Sequence, residues 1–180
     1  MDEFAQVPEK FLLRQLQKRH LAAVWAGLAG LRPGMCVLDI GSGPGILAAE
    51  YAAMVDPGVV YALEPRFALH VSRPNLLRLP QDAAQKIVLP EAPDVVFLTD
   101  TLHHAADPAG ILASVRAACG EKTRVLVAEY DPDGPGLVGA AKNGRMAKAA
   151  VLALLLAARF AACAGEETAD EHFAVLAVPA

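Results

Sequence analysis

The chain has 180 residues, 54% of them apolar, and a formal net charge of −4. That length and composition fit one domain, 1–180, with a substantial core and exclude a disordered chain, and the mild acidity without any dense lysine or arginine run argues against a nucleic-acid partner. The opening MDEFAQVPEK lacks the basic and apolar parts of a signal peptide, and the longest apolar run, 149–158 before Arg159, is too short for a membrane span.

Residues 4–31 are expected to be helical, with Leu12, Leu13 and Leu16 on one apolar face and Leu21, Val24, Trp25 and Leu28 on another; Gly30 and Pro33-Gly34 end this N-terminal segment, 1–34. The core, 35–180, opens with a buried strand at 36–40 that runs into Gly41, Gly43 and Gly45 and then a helix at 46–55. After Asp56-Pro57-Gly58 come a strand at 59–64 ending in Glu64, a short helix at 65–71, a strand at 75–79, and Asp82 placed to cap a helix at 83–87. A fourth strand, 94–98, leads into Thr99-Asp100-Thr101-Leu102-His103-His104, and a helix runs from Asp107-Pro108 to about Cys119. A strand at 123–130 ends in Glu129, Tyr130 and then Asp131 at the ligand edge, where solvated acids are expected; a turn-rich connector follows at 131–136. The helix expected at 139–158 is apolar on most faces, so it should be well buried or shared with a partner chain, which allows a homodimer. The last strands are 160–164 and 172–178, joined by the acidic turn 165–171. Three scattered cysteines (Cys36, Cys119, Cys163), without a C-x-x-C pair, read as free thiols in a reducing cytoplasm, and no metal site is expected.

The chemistry is concentrated in 37–45, VLDIGSGPG. A glycine turn lets a ligand approach the backbone, and the helix N-terminus behind it suits a carboxylate or phosphate. The spacing is not G-x-G-x-x-G, because the third glycine comes one residue early and Ile46 takes the last position. It is not a P-loop either, since no lysine occurs between Met35 and Val60. Asp39, two residues before the first glycine, can accept a hydrogen bond from an ammonium group, so the turn suits an amino acid zwitterion. The carboxylate of Glu64, at the end of the next strand, matches the two hydroxyls of a ribose. His103 and His104 lie in the loop that should face the reacting group, and either is a candidate general base.

At Asp39, Gly41, Gly43 and Gly45 the sequence resembles the class I S-adenosylmethionine (SAM) dependent methyltransferases, whose first motif is D-x-G-x-G-x-G. Its LHH-x-x-DP stretch resembles a subgroup typified by quinone and related small-molecule methyltransferases, and no N-P-P-[YFW] motif of amino-methylating enzymes is present. The resemblance implies a Rossmann-like α/β fold, a seven-stranded mostly parallel sheet of order 3-2-1-4-5-7-6 with helices on both faces. It also implies SAM as cofactor and a small-molecule acceptor. By the same resemblance Gly41, Ser42, Gly43 and Gly45 hold the methionine part, Glu64 with Pro65 the ribose, Asp82 with Ala83 the adenine, and Thr99 offers backbone contacts near the reacting centre. Two other readings stay open: a SAM-binding protein without chemistry that acts through a partner or a homodimer, and a nicotinamide-dependent oxidoreductase, which the glycine spacing disfavours.

Overall fold

The computed structural model describes residues 7–163 and 168–180. Two helices come first, α1 (Glu9–Gln17) and α2 (Leu21–Ala29), followed by β1 (Cys36–Ile40), α3 (Ile46–Val55), β2 (Val59–Leu63), β3 (Leu76–Leu79) and β4 (Val95–Thr99). Then come α4 (Pro108–Ala118), β5 (Arg124–Tyr130), α5 (Lys148–Ala157), β6 (Phe160–Cys163), β7 (Thr168–Ala169) and β8 (His172–Pro179). The strands form one sheet in the order β3-β2-β1-β4-β5-β8-β6. The pairs from β3 to β5 are parallel, and β8 runs antiparallel between β5 and β6. The two-residue β7 only pairs with β8; with it set aside, the order is the 3-2-1-4-5-7-6 expected from the sequence, and the fold is that of the class I methyltransferases.

Strand alternation sends successive side chains to opposite faces, and each face has its own core. Val37, Phe97, Leu126 and Ala128 pack with Trp25 of α2 and Tyr51 of α3. Leu38, Ile40, Val96 and Val127 pack with Leu112 of α4 and with Val151 and Leu155 of α5. Asp39 shares the α2/α3 face with Val37, so an acid sits in a layer that is otherwise aromatic and aliphatic, beside the Tyr51–Phe97 stack (ring centroids 4.1 Å apart). No helix among the described residues is long and apolar enough to cross a membrane.

Four expected elements differ. The N-terminal stretch divides at 18–20; α2 is packed on the sheet, whereas α1 has no buried residue and lies over the glycine turn. The helix expected at 65–71 is absent, because Arg78 of β3 takes the carbonyls of Glu64 (2.6 Å) and Phe67 (2.8 Å) that a helix would use. No helix forms at 83–87 either: Asp82 Oδ1 accepts from Ala84 N (2.9 Å) in a turn, and the Gln81 side chain bonds both N and O of Val88 (3.0 Å each). The helix expected at 139–158 begins only at Lys148 and is less buried than expected, with Leu156 74% exposed.

That late start has a local cause. The Arg145 side chain, fully buried, donates to the carbonyls of Asp131, Val138 and Ala140 and to Glu171 Oε2 (2.7 Å). The Glu171 carboxylate also accepts from the amides of Gly136, Leu137 and Val138 (2.8–3.2 Å). This clasp uses backbone groups that a helix would pair internally, and it folds 131–145 against the carboxyl edge of the sheet. Arg145 and the three amides hold the Glu171 carboxyl down from 4.5 to about 2. A folded-state value below the unfolded one gives stability that is present above pH 4.5 and lost as pH falls toward 2. Between about pH 5 and 3, Glu171→Gln should therefore lose less urea resistance than the parent; parallel losses would show that the clasp is not coupled to folding.

Candidate functional site

In an open parallel sheet the ligand crevice lies beyond the carboxyl ends of the strands, where the strand order reverses. Here that point falls between β1 and β4, which run side by side with Ile40 level with Leu98. Two cavities open there and share walls at Phe11, Gly41, Glu64, Arg66, Thr101 and His104. The larger, about 740 Å³, is bounded by Leu63, Pro65, Phe67, Asp82, Ala83, Ala105 and Ile111. The smaller, about 180 Å³, is bounded by Arg14, Lys18, Gly43, Thr99, Asp100, His103, Tyr130 and the 139–140 backbone.

The glycine turn is built from backbone that only glycine adopts easily. Gly41 has φ +69°, and a Cβ there would lie 2.8 Å from Thr101 Oγ1. That hydroxyl is itself fixed by the carbonyls of Ile40 (2.9 Å) and Thr99 (3.0 Å). At Gly43, φ +54°, a Cβ would lie 3.2 Å from the Phe11 ring of α1. The turn therefore offers bare backbone to the cavity under an aromatic cover.

Glu64 is buried at the end of β2. Its Oε2 accepts from Gly43 N (3.1 Å) and its Oε1 from Arg66 N (2.8 Å), so one carboxylate ties the glycine turn to the loop after β2. Each oxygen keeps a lone pair for a further donor. Asp39 is also buried, and burial together with the nearby Glu64 charge pushes its carboxyl from 3.8 up to about 8. Before a cation arrives, Asp39 holds its proton at neutral pH.

The loop after β4 is organised by an acid for which the sequence favours solvent. Glu129, in β5, is wholly buried. Its Oε1 accepts from the amides of Thr101 (3.0 Å) and Leu102 (2.6 Å), and its Oε2 lies 2.5 Å from Nδ1 of His103. With Glu129 as the acceptor, Nδ1 donates, and Nε2 is the ring's remaining nitrogen. The His103 side chain is 3% exposed, and its Nε2 is buried with no hydrogen-bond partner. His104 stacks beside it, ring centroids 3.8 Å apart, and burial and the neighbouring His103 lower its pKa.

The structure thus gathers Gly41, Gly43, Glu64, Pro65, Asp82, Ala83, Thr99, His103 and His104 around the two cavities. Asp39, Ser42 and Gly45 do not line them. Asp39 lies in the core layer below the turn, the Ser42 hydroxyl is buried without a partner, and Gly45 packs against Leu69. Sequence reasoning misses Arg14 and Lys18, which reach the site from α1, and Arg66. No local pattern marks them: Lys18 pairs with Asp100, 82 residues away, and Asp100 Oδ1 also meets His172 Nε2 (2.8 Å). Glu129 has a weak signal, an acid ending an otherwise apolar strand. Among the described residues no group of three His, Cys, Asp or Glu side chains is placed to hold a metal ion.

The donor set fits SAM. The bare turn and the ionisable Asp39 beneath it suit its zwitterionic end, and Glu64 above a wide apolar slot suits a nucleoside. Comparison with known proteins gives the same class. A family model described as "Methyltransferase domain" matches residues 10–173, and the chain belongs to that family. No curated protein matches the sequence. Among solved structures, a SAM-dependent methyltransferase from Aquifex aeolicus is similar with a TM-score of 0.82 and 22% identity over 94% of this chain and 96% of that one. Magnesium protoporphyrin IX methyltransferase from Synechocystis PCC 6803, with bound S-adenosylhomocysteine (SAH), has a TM-score of 0.68 and 17% identity over 98% and 90% of the two chains. The 1,6-didemethyltoxoflavin-N1-methyltransferase of Burkholderia thailandensis has a TM-score of 0.64 and 21% identity over 93% and 79%. At these identities the likeness shows the shared fold.

A folded-state pKa near 8 for Asp39 means that the native protein binds more protons than the unfolded chain between about pH 4 and 8. Its contribution to stability is therefore lost as pH rises through that window. Melting temperatures measured from about pH 5.5 to 8.5 should show Asp39→Asn gaining on the parent as pH rises. A constant gap would contradict the buried, protonated acid.

Proposed function

We propose that the protein transfers a methyl group from SAM to an acidic hydroxyl of a small molecule, a phenol or quinol, with His103 as the base. The single observation that carries this is His103 Nε2, buried and without a partner at the cavity wall while Nδ1 is fixed on Glu129. A base so placed has a use only if the acceptor has a proton to lose. His104, stacked beside it, forms part of the same wall.

When bound, SAM supplies a methyl carbon on a sulfonium sulfur, open to in-line attack with the C–S electron pair returning to sulfur. This chain's residues do the rest. Gly41 and Gly43 present backbone to the methionine part, with Ser42 and Gly45 completing the turn. Asp39, buried beneath the turn, would lose its proton to solvent and place a negative charge below the ammonium group. Glu64, with Pro65 beside it, would accept from the ribose hydroxyls, Asp82 would accept from the adenine amino group with Ala83 near the ring, and the Thr99 backbone would border the reacting centre. His103 Nε2 takes the hydroxyl proton, and Glu129 holds the ring in the tautomer that can accept it and balances the imidazolium that results.

Labelled SAM offered with a panel of phenols and hydroquinones tests this. At least one acceptor should be methylated. His103→Ala should lower kcat by about a hundredfold or more, with SAH affinity unchanged. Glu129→Gln should lower kcat in the same direction, because the ring loses the carboxylate that holds Nδ1 and balances the imidazolium. Full turnover in His103→Ala would overturn the base assignment, and SAH binding with no transfer to any member of the panel would favour the non-catalytic reading.

A further inference from the structure

The smaller cavity carries a charge pattern that the cofactor does not use up. Three cations line it, Arg14, Lys18 and Arg66, against two carboxylates, Glu64 and Asp100. Both carboxylates are already engaged: Glu64 by the Gly43 and Arg66 amides, Asp100 by Lys18 and His172. Lys18 is spent on Asp100, and Arg66 Nε stands 3.8 Å from Glu64 with the guanidinium over the Phe67 ring. Arg14, one turn before Lys18 on the same face of α1, has no hydrogen bond or ion pair from its side chain to any described residue. The cavity lining thus includes a guanidinium that no described residue engages. Its lining also includes His103, whose buried Nε2 meets no hydrogen-bond partner among the described residues.

We infer that the acceptor is an aromatic hydroxy acid, held at both ends: its hydroxyl on His103 Nε2 and its carboxylate on Arg14. This rests on the methyl-transfer reading above and names the acceptor class. Three features favour it. A guanidinium meets a carboxylate through two parallel N–H···O bonds, a geometry that fixes orientation as well as charge. The cations leave the cavity net positive, which favours the anionic form of a bound acid and the loss of the hydroxyl proton. The walls include the Phe11 and Tyr130 rings, and the cavity of about 180 Å³, shared with the cofactor's methionine end, leaves room for no more than one ring with small substituents.

The test uses the full-length protein saturated with SAH and the three monohydroxybenzoates, each beside its amide, titrated by calorimetry at low salt. At least one acid should bind about tenfold or more tighter than its amide. That discrimination should weaken as salt is raised and disappear in Arg14→Gln, with SAH affinity kept within about twofold. Arg14 is exposed and its side chain pairs with no described residue, so its replacement removes no contact of the described fold. Equal binding of acid and amide, or no binding of any acid, would overturn the inference. So would an Arg14→Gln variant that loses SAH affinity but keeps the discrimination, since the carboxylate on Arg14 would then be the cofactor's. Absence of SAH binding to the parent protein is a different failure, that of the methyl-transfer reading itself.

Discussion

Where a parallel sheet ends, its last amides lose their ladder partners, and a buried amide must find another acceptor. This protein meets that constraint with carboxylates at the strand ends. Glu64, just past β2, takes the amides of Gly43 and Arg66; Glu129, in β5, takes those of Thr101 and Leu102. Each acid thereby pins a loop at the carboxyl edge, the glycine turn in one case and the histidine loop in the other. Both loops are held from neighbouring strands, so the cavity between them has walls set by the sheet rather than by loop packing alone. The acids also keep lone pairs or a second oxygen for chemistry: Glu64 for a further donor, Glu129 for His103 Nδ1.

The buried acids differ in what surrounds them. Glu129 is surrounded by donors, which compensate for its burial. Asp39 has no such donors, and with Glu64 nearby its carboxyl keeps a proton to about pH 8. In the proposed reaction, ionisation of Asp39 would couple cofactor binding to proton release. Asp100, with Lys18 and His172 on its two oxygens, is held below the ordinary aspartate range and links α1 to the closing strands. The helix α1, with no buried residue, is therefore tied to the site by an ion pair and an aromatic cover, Phe11 over Gly43.

Much of this is legible in the sequence. The strand CVLDI falls at 36–40 as read, the order of the long strands follows the family pattern that the alternating apolar runs and turns suggest, and the D-x-G-x-G-x-G string marks the turn where the cavities open. What is not legible comes from side chains that take backbone carbonyls across long separations. Arg78 and Arg145 each break an expected helix, 11 and 14 residues from the carbonyls of Phe67 and Asp131 that they hold. Periodicity cannot register such competition, because the local pattern stays helical. Glu129 is misjudged for a related reason: an acid at a strand end looks solvated until the amides that face it are known. Arg14 and Lys18 belong to a helix whose docking is set by tertiary contact alone.

A carboxyl edge shaped for an amino acid joined to a nucleoside should discriminate sharply between SAH and a dinucleotide. Calorimetric titration with SAH and, separately, with NADH reads that discrimination. One SAH per chain should bind in the micromolar range, weakened at least about tenfold by Glu64→Ala, with no heat from NADH. Saturable NADH binding with no response to SAH, or SAH binding indifferent to Glu64→Ala, would contradict this reading of the site.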